Sequence, residues 1–223
     1  MCGRFSQAYS WEEVVAFSQP LTVPADRPNL RARYNIAPTT EIDIIVRLED
    51  GSRQMRKARW GLIPEWWRKP LKELPSTINA RAESVDERAM FRKAFVRRRC
   101  IIPASGFFEW TGKAGAKVPH YISASDGGLL GFAGLWEVGQ NDEGEKIVTA
   151  TIIVRKANQF MQRIHDRMPC MLHPRDFEAW LSGKGGKDLL DEPPPDLREW
   201  IVSQRVNKSG VGDDDPATIA PVK

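Results

Sequence analysis

The chain has 223 residues, of which 41% are hydrophobic, and a net charge of +4, which fits one large domain with a substantial core. No apolar run approaches the roughly 20 residues that span a bilayer, and residues 1–20 lack the features of a signal peptide, so we expect a cytoplasmic protein with no membrane partner. Three cysteines, at positions 2, 100 and 170, argue against a disulfide framework.

The first third of the chain predicts a helix and a hairpin. Ser10-Trp11-Glu12-Glu13 has the form of a capping box, which predicts a helix that runs to about Phe17. Residues 20–33 indicate an irregular, basic connection. Residues 42–48 are β-branched and apolar, a turn follows, and residues 53–60 form the second arm of the predicted hairpin.

The segment that follows the hairpin predicts a loop and then a basic helix. Residues 60–67 are rich in Pro and Trp and predict a loop with exposed rings. A second capping box, Ser84-Val85-Asp86-Glu87, predicts a helix through about Phe95. Cations near a helix C-terminus are favoured by its dipole, but this end has more than capping requires: Arg88, Arg92, Lys93, Arg97, Arg98 and Arg99.

The second half of the chain predicts strands in close succession. They cover residues 100–103, 106–110, 119–125, 129–138 and 146–154, with Gly-rich or Asn-rich turns between most of them. Short helices are predicted at 157–164 and 174–181, and a helix and a strand within 197–206. The sequence has no βαβ alternation, so the pattern predicts an α+β fold dominated by antiparallel strands. We expect a loosely ordered tail from about residue 208.

Several common chemistries lack their sequence signals. Cys170-Met171-Leu172-His173 has half of a zinc spacing, but no second Cys/His pair is nearby. The chain has no phosphate loop, dinucleotide fingerprint or Gly-x-Ser-x-Gly elbow. We therefore predict no metal, no nucleotide cofactor and no other cofactor.

The N-terminal segment Met1-Cys2-Gly3-Arg4-Phe5 carries a specific chemical signal. Removal of Met1 would leave Cys2 with a free amine and a thiol, whose usual pKa values of about 7.7–8.0 and about 8.5 leave both partly nucleophilic near neutral pH. Such an aminothiol attacks an aldehyde twice, first through the amine to give a Schiff base and then through the thiol to close a thiazolidine ring. Taken alone, Cys2 is better explained as simply a small residue.

Other ionisable and polar residues also have ordinary explanations when each is taken alone. Glu109 lies among aromatic residues, where burial would raise its pKa and make it a proton donor, although strand alternation points it to solvent. His165 follows a predicted helix, which suits either proton transfer or helix capping. Asn79 and Arg81 flank a predicted helix start, where capping and solubility account for them.

Seven segments taken together resemble the SOS-response-associated peptidase family, whose members crosslink to abasic sites in single-stranded DNA through an N-terminal Cys. The resemblance covers roughly residues 2–210 and implies a single domain, 1–223, with a barrel-like sheet core and short helices around it. The segments occur in the family's order, which chance does not explain. They are Cys2-Gly3-Arg4-Phe5, Tyr34-Asn35-Ile36-Ala37-Pro38-Thr39, Trp60-Gly61-Leu62-Ile63-Pro64, Asn79-Ala80-Arg81-Ala82-Glu83, Arg99-Cys100-Ile101-Ile102-Pro103, Gly106-Phe107-Phe108-Glu109-Trp110 and His165-Asp166-Arg167-Met168-Pro169.

The resemblance implies a catalytic group of four residues. Cys2 would be the nucleophile by both its amine and its thiol. Glu109 would supply the proton that opens the closed sugar of the abasic site. His165 would assist Schiff-base formation, and Asn79 would orient the Cys2 aminothiol. A departure from the family is Val154-Arg155, where Thr-Thr is common, which removes a hydroxyl near the substrate.

The resemblance also implies a surface that holds single-stranded DNA, with the protein acting as a monomer. Arginine forks match phosphate geometry, aromatic rings stack on or shape the lesion pocket, and apolar side chains wedge between bases. The residues are Arg4 and Arg81 for phosphates, Trp67 and Trp110 for the pocket, and Met90 and Phe91 for the wedge. The basic run from Arg92 to Arg99 would serve the rest of the strand.

Two other functions are compatible with the sequence. The family's name points to autoproteolytic removal of residue 1 by Cys2, in the manner of an N-terminal nucleophile. A reader of single-stranded or modified DNA that uses only Trp and Arg residues would bind without a covalent bond and would be sensitive to salt. General proteolysis of other proteins fits least, because a basic pocket is a poor peptide groove.

Overall fold

The computed structural model describes residues 2–22, 30–113 and 115–222. The described chain has three short α-helices, α1 (Trp11–Phe17), α2 (Arg92–Arg97) and α3 (Phe177–Leu181). Its strands are β1 (Phe5–Gln7), β2 (Arg33–Ile36), β3 (Glu41–Arg47), β4 (Arg53–Trp60), β5 (Asn79–Arg81), β6 (Arg99–Ala104), β7 (Gly106–Thr111), β8 (Val118–Ala124), β9 (Leu130–Gln140), β10 (Lys146–Lys156), β11 (Arg167–Pro169), β12 (Met171–Leu172) and β13 (Leu197–Ile201).

Five of these strands form a closed barrel. Antiparallel pairing runs from β4 through β3, β6 and β9 to β10, and β10 returns to β4 in parallel, with Ala150 opposite Trp60. Closure leaves no unpaired edge and encloses a core that contains the buried rings of Trp60 and Phe132. The predicted α+β class with a mainly antiparallel, barrel-like core is confirmed.

A second sheet, in the order β13-β8-β7-β1-β2, packs against the barrel. Phe5 of β1, Phe107 of β7 and Ile122 of β8 belong to the same buried cluster as Trp60. Two short strands extend β10: β5 pairs with it in parallel and β11 antiparallel. The residues around Cys2, Asn79 and Glu109 therefore belong to elements that are anchored on the barrel.

The local predictions in the first third of the chain are confirmed. Ser10 caps α1, and both hydrogen bonds of the capping box are formed, from the Glu13 backbone N to Ser10 Oγ and from the Ser10 backbone N to Glu13 Oε2. The β3–β4 hairpin covers the predicted arms. Of the irregular connection predicted at 20–33, residues 23–29 lie outside the described ranges.

The helix predicted from Ser84 to Phe95 is wrong over most of its length. Residues 82–84 form a 3-10 turn, and only Arg92–Arg97 is α-helical. Val85 and Phe91 are both buried in one cluster, but residues six apart on an α-helix face directions about 120° apart. The chain bends between them because it must turn both side chains inward.

The later helical predictions are met in part. Residues 174–181 form a 3-10 turn that continues into α3, as expected. The helix predicted at 157–164 is only a 3-10 turn, Met161–Arg163, which leaves His165 in the connection to β11. Residues 197–206 form strand β13 and then a 3-10 turn, Gln204–Asn207.

Residues 208–222 lie against the second sheet, where the sequence predicts a loosely ordered tail. The Asp213 carboxylate accepts hydrogen bonds from Arg33 Nε at 2.8 Å and from the Asn35 backbone N at 3.0 Å. This acidic residue therefore pairs with β2. Within the described ranges, we find no helix with the length and apolar character needed to cross a bilayer.

Candidate active site

Cys2 lies just before β1 and has no exposed surface. Asn79, the first residue of β5, donates from Nδ2 to the Cys2 carbonyl oxygen at 2.9 Å. Asn79 is held in place because it pairs with Ile152 of β10. Cys2 and an amide 77 positions away in sequence are thus joined directly, a contact consistent with what the family resemblance implies for this pair.

Glu109 comes close to Cys2 through the pairing of β1 with β7. Phe5 lies opposite Phe107, and the Phe108 backbone N donates to the Arg4 carbonyl at 2.9 Å. The Glu109 side chain is 2% exposed, so the alternative in which strand alternation points it to solvent is wrong. Burial raises its pKa to about 7. Burial and then the Glu109 charge raise the pKa of the Cys2 thiol, which keeps that sulfur protonated near neutral pH.

His165 lies in the connection before β11. Its Nδ1 accepts a hydrogen bond from the Arg167 backbone N at 3.0 Å and lies 2.8 Å from Asp166 Oδ1. Burial lowers the pKa of His165, so the ring is neutral near neutral pH. The Asp166 charge also raises the pKa of Glu109, which places both groups in one electrostatic neighbourhood.

Arg4 is 8% exposed and its guanidinium is largely committed to the fold. Nη1 donates to Asn35 Oδ1 at 2.6 Å and to the Val206 carbonyl at 2.8 Å, while Nη2 donates to Ser209 Oγ at 3.0 Å. These bonds connect the residue just before β1 to β2 and to the C-terminal segment. The phosphate-binding role predicted for Arg4 must therefore compete with three internal contacts.

Asn79 also lines a groove of about 340 Å³. Arg81, Met90 and Phe91 line it, so the structure brings together three of the six residues predicted to bind DNA. Arg81 is exposed and Met90 half-buried. Phe91 is 9% exposed and packs in a core cluster, so Met90 is better placed than Phe91 to reach a base.

The two predicted stacking residues lie in separate places. Trp67 lines a cavity of about 320 Å³ beside the β9–β10 turn, and its ring centroid is 6.0 Å from that of Trp66, which is 51% exposed. Trp110 follows Glu109 on β7 and donates from Nε1 to Asn207 Oδ1 at 2.6 Å. Of these two residues, only Trp110 is next in sequence to a residue of the candidate site, Glu109.

Positions 154 and 155, where Val-Arg replaces the Thr-Thr common in the family, make structural contacts. Val154 is fully buried and pairs with Arg81 of β5. The Arg155 Nη1 donates to the Leu190 carbonyl at 3.0 Å. At these two positions the chain has core packing and a backbone contact in place of hydroxyl groups.

Much of the basic run from Arg92 to Arg99 is engaged inside the protein. Lys93 pairs with Glu65, and Arg98 pairs with the buried Glu137. Arg99 is 8% exposed and donates to the carbonyls of Phe95 and Gly185. These three cations therefore contribute to the fold, while Arg92 and Arg97 are exposed, and a role of this run in DNA binding stays a prediction.

Lys117 was not singled out by sequence reasoning, since it lies in a turn without a recognisable motif. It is exposed, and its charge lowers the pKa of both Glu109 and His165. Over the residues that the structure describes, no three His, Cys, Asp or Glu side chains cluster as metal ligands. A lysine from the β7–β8 connection thus adds a minor positive influence on both the candidate acid and the candidate base.

The solved structures define the class of fold. A protein from Bacteroides thetaiotaomicron superposes with a TM-score of 0.81 over 100% of both chains at 24% identity, a likeness of fold alone. A protein from Bordetella bronchiseptica gives a TM-score of 0.76 at 27% identity over 91% of this chain and 100% of that one. The barrel with its packed second sheet therefore has solved counterparts.

The family follows from the sequence comparisons. The model of the SOS response associated peptidase (SRAP) family matches residues 1–209. Abasic site processing protein YoqW of Bacillus subtilis is 40% identical, over 93% of this chain and 94% of the relative, and abasic site processing protein YedK of Escherichia coli is 33% identical over 85% of each. The chain belongs to the SRAP family.

Proposed function

We propose that this protein processes abasic sites and that it captures them in single-stranded DNA as a reversible thiazolidine on Cys2. The observation that carries the proposal is the meeting of Asn79 and Glu109 at Cys2, by hydrogen bond and by charge. Relatives that are named abasic site processing proteins support the substrate class.

The chemistry needs Cys2 as the first residue. The amine nitrogen adds to the aldehyde carbon of the opened sugar, and loss of one water gives a Schiff base. The sulfur then adds to the same carbon, and the thiol proton passes to the nitrogen as the ring closes. No oxidant or reductant is consumed, so the reverse sequence releases the DNA.

The residues around Cys2 each have a role in this chemistry, and for Glu109 and His165 the role follows from the protonation state. Glu109, with a pKa of about 7, retains a proton near neutrality and gives it to the ring oxygen as the sugar opens. The neutral His165 ring accepts and returns protons during loss of water. Asn79 fixes the Cys2 carbonyl and so orients the amine and the thiol. Arg81 and Met90 hold the strand in the adjoining groove.

A crosslinking experiment tests the proposal. Protein from which Met1 has been removed should form a slow-migrating band with a single-stranded abasic oligonucleotide. Cys2→Ala should abolish the band, while Cys170→Ala, which alters a cysteine in a separate core cluster, should retain it. Equal crosslinking by Cys2→Ala would show that Cys2 is not the nucleophile.

A second candidate function is self-removal of residue 1, which the family description as a peptidase supports. The Cys2 sulfur would attack the carbonyl of residue 1, and water would cleave the thioester. Glu109 lies close enough to affect the thiol and would donate a proton to the departing amine. Intact mass separates the routes: Met1 retained in Glu109→Ala indicates self-processing, and Met1 lost indicates a separate aminopeptidase.

A non-covalent reader remains the alternative from another functional class. It predicts that Cys2→Ala binds abasic and intact single strands as well as the parent protein, and that affinity falls steeply with salt. A fluorescence binding titration at two salt concentrations, run beside the crosslinking assay, distinguishes this outcome.

A further inference from the structure

Three polar side chains on adjacent strands of the second sheet form a hydrogen-bonded row that has no part in the chemistry at Cys2. Thr111 ends β7, His120 belongs to β8 and Glu199 belongs to β13. Thr111 Oγ1 lies 2.9 Å from His120 Nε2, and His120 Nδ1 lies 3.0 Å from Glu199 Oε2. A hydroxyl, an imidazole and a carboxylate are thus connected in the order of a catalytic triad.

The proton positions in this row follow from what each group can donate. A carboxylate only accepts hydrogen bonds, so the Nδ1 that faces Glu199 carries a proton. In the neutral ring, Nε2 then has a free lone pair and accepts the hydrogen bond from the Thr111 hydroxyl. His120 is therefore held in the tautomer that can take the hydroxyl proton, and Glu199 lies where it stabilises the imidazolium that results.

The register of the sheet fixes these contacts. Thr111 is paired with Val118, so His120 is its diagonal neighbour across the β7–β8 pair. Glu199 is paired with Ile122, so it is the diagonal neighbour of His120 across the β8–β13 pair. Diagonal neighbours on one face of a sheet are within reach of long side chains. A row built on three hydrogen-bonded strands holds its geometry better than one built on loops.

The row is accessible from solvent and has an apolar surface beside it. Thr111 is half-buried, and the side chains of His120 and Glu199 are 12% and 24% exposed. Ile201, the residue of β13 opposite His120, is 43% exposed. On the other side, His120 is paired with the buried Glu109. The row therefore lies next to the Cys2 site, but its nucleophile is a different atom.

We propose that Thr111, His120 and Glu199 form a second nucleophilic site, which accepts the acyl group of an activated ester and passes it to water. Thr111 Oγ1 bonds to the acyl carbon while its proton passes to His120 Nε2. The bond from the acyl carbon to the leaving oxygen then breaks, and that oxygen takes the proton from His120. Water attacks the acyl group with His120 as base, and the acid departs as the Thr111 oxygen regains its proton.

Aryl esters are the substrate class that this row fits. A phenolate leaves readily, so the reaction depends little on additional stabilisation of the tetrahedral intermediate. The exposed Ile201 side chain, beside His120, offers an apolar surface on which the aryl ring can lie. The activity is independent of abasic-site capture, because it uses neither the amine nor the thiol of Cys2.

Hydrolysis of p-nitrophenyl acetate by the full chain tests the proposal, with nitrophenolate release followed by absorbance. Thr111→Val keeps the shape of the side chain but removes the hydroxyl, and His120→Gln removes the base, so each should lower the rate about 100-fold. Glu199→Gln should lower it less. The control is Thr40→Val, which changes a half-buried threonine whose hydroxyl donates to the Ala37 carbonyl, and it should keep the parent rate.

Thr111→Ser separates catalysis from a structural role of the row, since it retains a hydroxyl beside His120 and should retain the rate. Equal rates in the parent and Thr111→Val would overturn the proposal, as would a rate in Thr111→Ser as low as that in Thr111→Val. A fluorophosphonate probe gives a second measurement, because loss of fluoride leaves a stable phosphonate ester on the reactive oxygen. Peptide mass spectrometry should locate the adduct on Thr111 in the parent and find none there in His120→Gln. A parent protein without an adduct on Thr111 would contradict an activated hydroxyl.

Discussion

The basic segment around α2 and the neighbourhood of Cys2 are both rich in polar groups, but they use them differently. Around α2, Lys93 and Arg98 pair with glutamates, and Arg99 is buried over the ring of Trp180 at 4.5 Å. Around Cys2, Lys117 and Arg81 are exposed and line open cavities. The charges of the first region therefore contribute to the stability of the fold, whereas those of the second region remain at open cavities, and we propose that DNA binds in the groove that Arg81 lines.

The largest effect that sharpens this contrast is expected at Glu109. Glu109→Gln keeps the shape of the side chain but removes the transferable proton, so crosslinking should slow by about 10²–10⁴-fold. Single-turnover kinetics on an abasic oligonucleotide measure this. In the parent, the rate of sugar opening should fall as the pH rises above about 7, because Glu109 ionises there, and the variant should lack this fall. A variant with parent-like rate and pH profile would exclude Glu109 as the acid.

The pH dependence of stability also singles out Glu109. Its pKa in the folded protein, about 7, is above its usual 4.5, so the folded state favours the protonated form. The stability it contributes is complete below pH 4.5 and is lost as pH rises to about 7, an amount of about 3 kcal/mol. Urea unfolding at several pH values should show that the free energy of unfolding of Glu109→Gln increases relative to that of the parent across this pH range. If the difference in unfolding free energy between the two proteins does not change with pH, the raised pKa of Glu109 is contradicted.

On the α2 side, Arg99→Ala should reduce the free energy of unfolding by about 2–3 kcal/mol. The change removes the donors to a buried and a partly buried carbonyl, and it removes contacts with Phe95 and Trp180. The exposed Arg97 provides the control, and Arg97→Ala should change stability little. Chemical denaturation measures both. Equal effects would mean that burial does not distinguish these arginines.

The smallest effect concerns affinity for DNA. Arg81→Ala should weaken binding of single-stranded DNA severalfold and reduce its salt dependence by about one phosphate contact. Arg92→Ala, also exposed but on the α2 side, should have less effect. Salt titrations by fluorescence anisotropy compare the two variants. A larger loss of affinity in Arg92→Ala than in Arg81→Ala would show that DNA binds at the basic segment around α2.

The predictable parts of the fold were those set by local chemistry. The capping box of α1 and the β3–β4 hairpin depend on neighbouring residues and are present as expected. Barrel closure by β10 on β4 and the pairing of β5 with β10 depend on residues far apart in sequence, which periodicity does not encode. The helix from Ser84 failed because burial of both Val85 and Phe91 overrode the capping signal.

The candidate site also has parts that could be predicted from the sequence and parts that depend on long-range packing. Catalytic roles for Cys2, Asn79, Glu109 and His165 are predicted only through the family resemblance, since each residue alone has an ordinary explanation. The burial of Glu109 could not be read from strand alternation because β7 has packed residues on both faces, Phe107 in the barrel core and Phe108 in a separate cluster. Lys117 was missed because it lines a cavity together with Gln204 and Asn207, which come from the other end of the chain.

The most direct test of the central claim is the chemical state of Cys2 after capture. The crosslinked complex is digested, and the N-terminal peptide is examined by mass spectrometry after thiol alkylation and borohydride treatment. A thiazolidine predicts the mass of the aldehyde less one water on Cys2, with no alkylation of its sulfur and no gain of two hydrogens. An adduct on another residue, or a Cys2 sulfur that still alkylates, would contradict capture by the aminothiol.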